Sequence, residues 1–281
     1  LCDTKNESDV VNHYYGSNLL KRVQEACISM QLDPDNLTLD QTSTFDEFHI
    51  GGATATEYVL SKLDIQPNSQ VLDVGCGIGG PARHIASVTG THVTGLDLTP
   101  GYIEAAIALS RSTGMEQQTS FEVGNAIDMP YEDSVFDTII SFHVAMNIED
   151  RATLYAEIYR VLADDGTVCL YDILQTNDEQ PIYPVPWAAS SKTSFLLRVD
   201  QTRDALERAG FEISLIEDRS QAAIEFFKKI AQQSQSAPSP LGFKLLMGDE
   251  APVLLGNLRT SFEQGSIKPM LIVAKKAENE D

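Results

Sequence analysis

Ten consecutive residues constrain this chain more than any others: Val71-Leu72-Asp73-Val74-Gly75-Cys76-Gly77-Ile78-Gly79-Gly80. An apolar strand with an acid in it runs into a turn holding four glycines, and a helix follows. In an open α/β sheet that order lays bare backbone at the carboxyl end of a strand, where nucleotide-like ligands bind. Glycine has no Cβ, so the chain turns tightly and a ligand can approach the main chain. Gly75, Gly77 and Gly80 also satisfy the dinucleotide fingerprint, so spacing by itself selects no ligand.

Asp73 separates the ligand classes. A pyrophosphate at this turn meets a carboxylate two residues ahead of the first glycine, and like charges repel. A ligand carrying an ammonium and a sulfonium is attracted instead, and S-adenosylmethionine carries both. A second acid, Asp97, follows the predicted strand His92-Val93-Thr94-Gly95-Leu96. A carboxylate there accepts from both hydroxyls of a ribose, whichever ligand brings it.

With these residues in place, the chain resembles the class I S-adenosylmethionine-dependent methyltransferases. Val71 to Gly80 is similar to their first motif, and Gly95-Leu96-Asp97-Leu98 to the ribose-binding acid after the second strand. Gly124-Asn125-Ala126-Ile127-Asp128-Met129-Pro130-Tyr131 resembles the adenine-side motif, with Asn125 where the family usually carries aspartate. An amide oxygen still accepts from an exocyclic amine. Phe136-Asp137-Thr138-Ile139-Ile140-Ser141 resembles the fourth strand, and Leu154 to Gly166 the helix and turn after it. The likeness covers roughly residues 50–175. Upstream, Phe48-His49-Ile50-Gly51-Gly52 and Tyr14-Tyr15 resemble the small-molecule branch of phosphoethanolamine and sarcosine/dimethylglycine N-methyltransferases. Sterol and tocopherol C-methyltransferases are cousins of that branch.

The resemblance implies a Rossmann-like, seven-stranded, mostly parallel α/β sheet with helices on both faces. Its last strand would run antiparallel between the fifth and sixth. It also implies a cofactor set: Asp73, Gly75, Cys76 and Gly77 at the amino acid end of S-adenosylmethionine, Asp97 and Leu98 at the ribose, Asn125 and Ala126 at the adenine. His49, Gly51 and His143 would close that site.

Short β-rich runs alternate with helical ones, which is the pattern of βαβ units around a parallel sheet. Strands are expected at 70–74, 92–97, 119–124, 136–142, 166–173, 211–217 and 270–274. Helices are expected at about 7–31, 80–89, 101–112, 151–162, 201–209, 220–234 and 251–264. Four segments follow: a helical cap over 1–50, the cofactor-binding core over 51–175, a lid insertion over 176–200, and completion of the sheet over 201–281.

Composition narrows the partners. The net charge of −21, from 41 acids against 20 bases, repels phosphate backbones and argues against nucleic acid as substrate. No run reaches the length of about 18 apolar residues that a membrane span requires. The four cysteines show neither metal-ligand spacing nor a plausible disulfide pair, so a reducing compartment such as the cytoplasm and a metal-free site are expected. The chain begins at Leu1 rather than methionine, which leads to the expectation of a trimmed leader and keeps an organellar home open.

Methyl transfer needs nucleophile and methyl held in line, and a general base only when the nucleophile arrives protonated. His143, at the end of the fourth strand, titrates near neutral pH and is one candidate base; lining the cleft is its plainer role. His49 either closes over the methionine end or caps the next helix. Tyr14 and Tyr15 resemble an aromatic pair folded over the active site; Tyr15 could orient a nucleophile and Tyr14 face the substrate. In the lid, Tyr183 and Trp187 could hold an alkylammonium, and Arg198 could clamp a carboxylate. His13, His84 and His92 carry no such context. The reading is a methyltransferase acting on a small acceptor, first an amine nitrogen of glycine-betaine type. Its rivals are carbon or oxygen methylation of a sterol or quinol, a nicotinamide oxidoreductase, and a non-catalytic module that binds S-adenosylmethionine.

Overall fold

The computed structural model describes residues 19–236 and 240–277. Tyr14 and Tyr15 lie outside the described residues, as does the first part of the expected 7–31 helix. Seven strands make one sheet: β1 Gln70–Val74, β2 His92–Asp97, β3 Thr119–Val123, β4 Phe136–Phe142, β5 Leu162–Gln175, β6 Phe211–Asp218 and β7 Ile267–Lys276. Their order is β3-β2-β1-β4-β5-β7-β6. The first five run parallel, and β7 pairs antiparallel with both β5 and β6. The expected insertion of the last strand between its neighbours is therefore present.

The order explains the sequence pattern. β1 sits between β2 and β4 and is covered on both faces, so four of its five residues are buried. Such a strand reads as an unbroken apolar run rather than an alternation. At β1 the direction of winding reverses, which opens a crevice at the carboxyl ends of β1 and β4. The glycine turn opens into that crevice. β5 begins earlier than expected because Leu162 pairs with Phe136, which draws the Asp164-Asp165-Gly166 turn into the ladder beside an irregularity at Phe136/Thr138.

Helices cover the sheet: α1 Leu19–Ser29, α2 Leu39–Asp46, α3 Gly52–Leu60, α4 Gly80–Thr89, α5 Pro100–Ser112, α6 Arg151–Val161, α7 Val199–Arg208, α8 Ser220–Ser236, α9 Lys244–Met247 and α10 Ala251–Glu263. α2 starts at a reciprocal cap in which the Thr38 hydroxyl accepts from the Gln41 amide and the Gln41 side chain accepts from the Thr38 amide. In α4, Ala82, Ile85 and Ala86 turn one buried face to the sheet, and Gly90 ends the helix in the left-handed region.

Residues 176–200 are pinned at both sides. The Phe195 amide donates to Met146 O at 2.8 Å, Arg151 Nη2 donates to Phe195 O at 2.7 Å, and the Gln175 amide donates to Leu197 O at 2.9 Å. From the other side Asn257 of α10 donates to Pro184 O at 2.9 Å.

Candidate active site

The crevice is a cavity of about 410 Å³ that runs from the glycine turn to helices α8–α10. At its sheet end Asp73, Gly75, Cys76, Gly77, Asp97, Leu98, Ala126, His49 and His143 line the wall. Asn125 and Gly51, expected at the cofactor, are not among the residues that line it. The Asn125 side-chain oxygen accepts from the Ile127 amide at 3.2 Å, which shapes the loop presenting Ala126 and Ile127.

The glycines divide by role. A Cβ on Gly77, whose φ is +55°, would meet nothing within 4 Å, so this glycine keeps the cavity floor open. A Cβ on Gly75 would lie 2.2 Å from Val144 Cγ2, so that glycine serves packing between the turn and the loop after β4.

The acids give the site its chemistry. Asp73 is fully buried, its Oδ2 has no hydrogen-bond partner, and burial pushes its carboxyl up to about 8, aided by the charges of Glu47 and Asp97. An unpartnered buried carboxyl on a cavity wall is costly unless a donor arrives to meet it. Asp97 uses Oδ2 to accept from the Gly77 amide at 2.9 Å and Oδ1 to accept from the Thr99 amide at 2.8 Å. Both oxygens thus keep a fixed direction at the cavity edge, and burial raises its carboxyl as well. A cationic amino acid end against Asp73, a ribose against Asp97 and a flat base against Leu98, Ala126 and Ile127 fit this wall.

His143 corrects an expectation. Its φ is +57°, and its Nδ1–H donates to Tyr171 O at 2.9 Å while Nε2 accepts from the Ile50 amide at 3.1 Å. Burial lowers its pKa to about 4. Both ring nitrogens are already committed, so the neutral ring has no lone pair left for a substrate proton. His143 is a clasp that ties the segment before α3 to the ends of β4 and β5.

That segment, Asp46 to Ile50, crosses the glycine turn. Asp46 Oδ2 pairs with Arg83 Nη2 at 2.7 Å, with both side chains buried. A Cβ on Gly80 would lie 2.3 Å from Asp46 O, so the fourth glycine exists to let this segment approach. Arg83 further donates to Ile78 O and Ala106 O, which binds turn, α4 and α5 into one block. His49 stacks on Phe142 with ring centroids 4.4 Å apart, and Phe48 meets Phe243 edge-on at 5.9 Å.

Past the sheet end the cavity is mostly apolar, although Asn147, Glu149 and Asp150 also line it. Phe48, Ile50, Met146, Ile148, Ile173 and Trp187 face Phe226, Phe227, Phe243, Leu246, Met247, Leu255 and Leu258. No Lys or Arg lines it among the described residues. Arg198 is away from it, capping α7 and paired with Asp178 and Asp200 at 3.3 Å each. Tyr183 packs beside Trp187 in the apolar cluster and directs its hydroxyl to Gln180 at 3.2 Å, off the cavity wall. Sequence reasoning missed the aromatic wall of α8–α10, because apolar helix faces read alike whether they meet a core or a ligand.

Residues 72–170 match the family described as methyltransferase domain. With the sheet order and the glycine-turn crevice, this part of the chain is a methyltransferase domain of class I fold. Among curated relatives, it is similar to sterol 24-C-methyltransferase ERG6B of Gibberella zeae, 32% identical over 167 residues, covering 57% of this chain and 44% of that protein. It is also similar to phosphoethanolamine N-methyltransferase 1 of Zea mays, 32% identical over 179 residues, covering 64% of this chain and 35% of that protein. The chain thus spans less than half the length of these relatives. A solved structure, phosphoethanolamine N-methyltransferase 2 of Haemonchus contortus in complex with S-adenosyl-L-methionine, matches 99% of this chain and 61% of its own at TM-score 0.74. At 17% identity that likeness shows the fold.

Proposed function

We propose that the chain transfers the methyl group of S-adenosylmethionine to a small, neutral, apolar acceptor. The observation that carries this reading is the pairing of an unpartnered buried acid, Asp73, at one end of the cavity with a wall that, among the described residues, carries no Lys or Arg at the other. When bound, S-adenosylmethionine supplies a methyl on positive sulfur, already activated for displacement. Asp73 would hold the ammonium, Asp97 the ribose hydroxyls, and Leu98, Ala126 and Ile127 the adenine. The work left to the protein is to hold the acceptor in line and to exclude water.

The acceptor end separates the relatives. A phosphorylated acceptor needs a fixed cation, and among the described residues the ionisable carboxyls and imidazoles on this wall are Asp46, Asp73, Asp97, Glu149, Asp150, His49 and His143. A phosphoamine is therefore disfavoured. The aromatic and aliphatic wall favours a hydrocarbon-rich acceptor, so methylation of an apolar carbon or hydroxyl displaces the amine nitrogen as first choice. Residues 1–50 would act as cap and 176–200 as a fixed wall of the acceptor site, with Trp187 as its contact.

Calorimetric titration with S-adenosylmethionine and, separately, a nicotinamide dinucleotide tests the cofactor half. Uptake of the sulfonium compound alone is expected. Tight uptake of the dinucleotide with the sulfonium compound ignored would end the reading.

A further inference from the structure

Residues 154–166 stand out in the sequence as helix and turn, yet none of them lines the cavity. Two of them, Glu157 and Arg160 of α6, reach instead to the segment 124–135, which joins β3 to β4 and puts Gly124, Ala126 and Ile127 on the cavity wall. That segment leaves the sheet with the Gly124 amide donating to Asp97 O at 3.0 Å and turns with the Asp128 amide donating to Asn125 O at 3.0 Å. From Met129 onward α6 holds it. The Met129 amide donates to Glu157 Oε2 at 2.8 Å, and Arg160 Nη2 donates to Met129 O at 3.0 Å, so both backbone groups of one residue are fixed by side chains of α6. Arg160 Nη1 donates to Tyr131 O at 2.6 Å and to Asp133 Oδ1 at 2.9 Å. Its Nε and Nη2 meet the two Glu157 oxygens at 2.7 and 2.8 Å. A guanidinium has five N–H donors, and here each has an acceptor.

An exposed ion pair adds little to a protein by itself. This one is different in geometry. The Arg160 and Glu157 side chains are 30% and 17% exposed, and their fork-to-fork pairing fixes the guanidinium plane while the remaining donors fix the loop. Arg160 holds the Glu157 carboxyl below the usual carboxylate range, with the Met129 amide adding to it and burial opposing, so the pair is ionised at neutral pH. Backbone bonds complete the attachment: the Ser134 amide donates to Arg160 O at 2.8 Å and the Val135 amide to Val161 O at 2.9 Å. Ser134 there has a φ of +58°, which a side-chain-bearing residue rarely adopts, so the segment follows the helix rather than a turn of its own choosing.

Resting on the methyl-transfer reading above, we propose that Glu157 and Arg160 are positioning residues for the adenosine half of the cofactor: they touch none of it, and they set the segment that presents Ala126 and Ile127 to the base. Met129 stands two residues beyond Ile127 and is buried in one cluster with Leu154 and Ile158 of α6, so a shift at Met129 passes along the turn to the base-binding face. Released from α6, the segment would hold the binding geometry only part of the time, and affinity falls by that fraction. The loss is the same factor for every ligand that uses this face.

The test compares two ligands by calorimetry, at a temperature where each variant is folded by circular dichroism. S-adenosylhomocysteine has the amino acid end and the adenosine half, whereas 5′-methylthioadenosine has the adenosine half alone. Arg160→Gln should weaken both by the same factor, at least about fivefold, as for a segment in the competent geometry about a fifth of the time. Arg160→Lys keeps the charge and loses the fork, and it should weaken both ligands too. Glu157→Gln, which keeps the shape and gives up the paired oxygens, decides the matter if the arginine variants fail to fold. Asp73→Asn should give the opposite pattern, a loss for S-adenosylhomocysteine and none for 5′-methylthioadenosine, which has no ammonium. If the pair only stabilises the fold, the Arg160 and Glu157 variants will lower Tm and leave both dissociation constants unchanged. That result, or a loss confined to S-adenosylhomocysteine, would overturn the positioning role and leave the methyl-transfer reading standing. An unaltered protein that binds neither ligand would overturn both.

Discussion

Replacing Asp73 by asparagine removes a titration while keeping the shape of the side chain. In the cofactor-free protein the carboxyl titrates at about 8, so at pH 6.5 about 97% of it is protonated. An ammonium can be held only by the ionised form. Binding at pH 6.5 should therefore release about one proton per cofactor, and affinity should rise about tenfold, or about 1.4 kcal/mol, between pH 6 and pH 7. The free amino group of the ligand titrates near 8, so the window from 6 to 7 isolates the protein group. Calorimetry in two buffers of different ionisation heat reads the proton number directly. Asp73→Asn should release none and show an affinity flat across that window. There is a matching stability effect. A folded-state pKa above the unfolded value gives stability that is complete at acid pH and lost as pH rises through about 8. The ligand-free Asp73→Asn protein should thus gain more in Tm at pH 8 than at pH 5. A wild-type protein that binds without proton release, or a variant that releases as many protons, would refute the assignment of Asp73 to the ammonium.

Three further outcomes are expected. Asp46→Ala leaves the Arg83 guanidinium buried without its counter-charge and should cost about 3–5 kcal/mol in urea unfolding; a loss under about 1 kcal/mol would contradict the pairing. Gly77→Ala should cost only about 1–2 kcal/mol for its left-handed backbone yet weaken cofactor binding, whereas Gly75→Ala, driven into Val144, should lower Tm further. Because the folded-state pKa of His143 is depressed to about 4, its contribution is present above about 6.5 and lost as pH falls through about 4. The unaltered protein should lose up to about 3 kcal/mol more than His143→Gln between pH 7 and pH 4, read from paired unfolding curves.

Strands and helices of the core were legible because their patterns have one physical cause each. β1 is buried on both faces and reads as a solid apolar run, while Ala82, Ile85 and Ala86 mark one face of α4. The ends were less legible: β5 starts at Leu162 because a neighbouring strand pairs with it, a long-range fact that local turn chemistry opposes. Asp73, Asp97 and Gly77 were legible as cavity groups, since an acid and a glycine at a strand end have few other uses. His143 was legible in place and not in role; its two backbone bonds join residues 93 and 28 positions away. Arg198 looked like a substrate clamp, but Asp178 and Asp200 claim it on the surface. His84 carried no sequence signal at all, because its partner Glu47 stands 37 positions earlier.

The most direct measurement of the central claim is transfer of labelled methyl from S-adenosylmethionine to a panel of acceptors. The panel should set unsaturated sterols, quinols and polyketide-like alcohols beside phosphoethanolamine, glycine and its N-methylated derivatives. The account predicts label on a neutral, hydrocarbon-rich member and none on phosphoethanolamine. Label on the phosphorylated amine, with every apolar acceptor left bare, would contradict it.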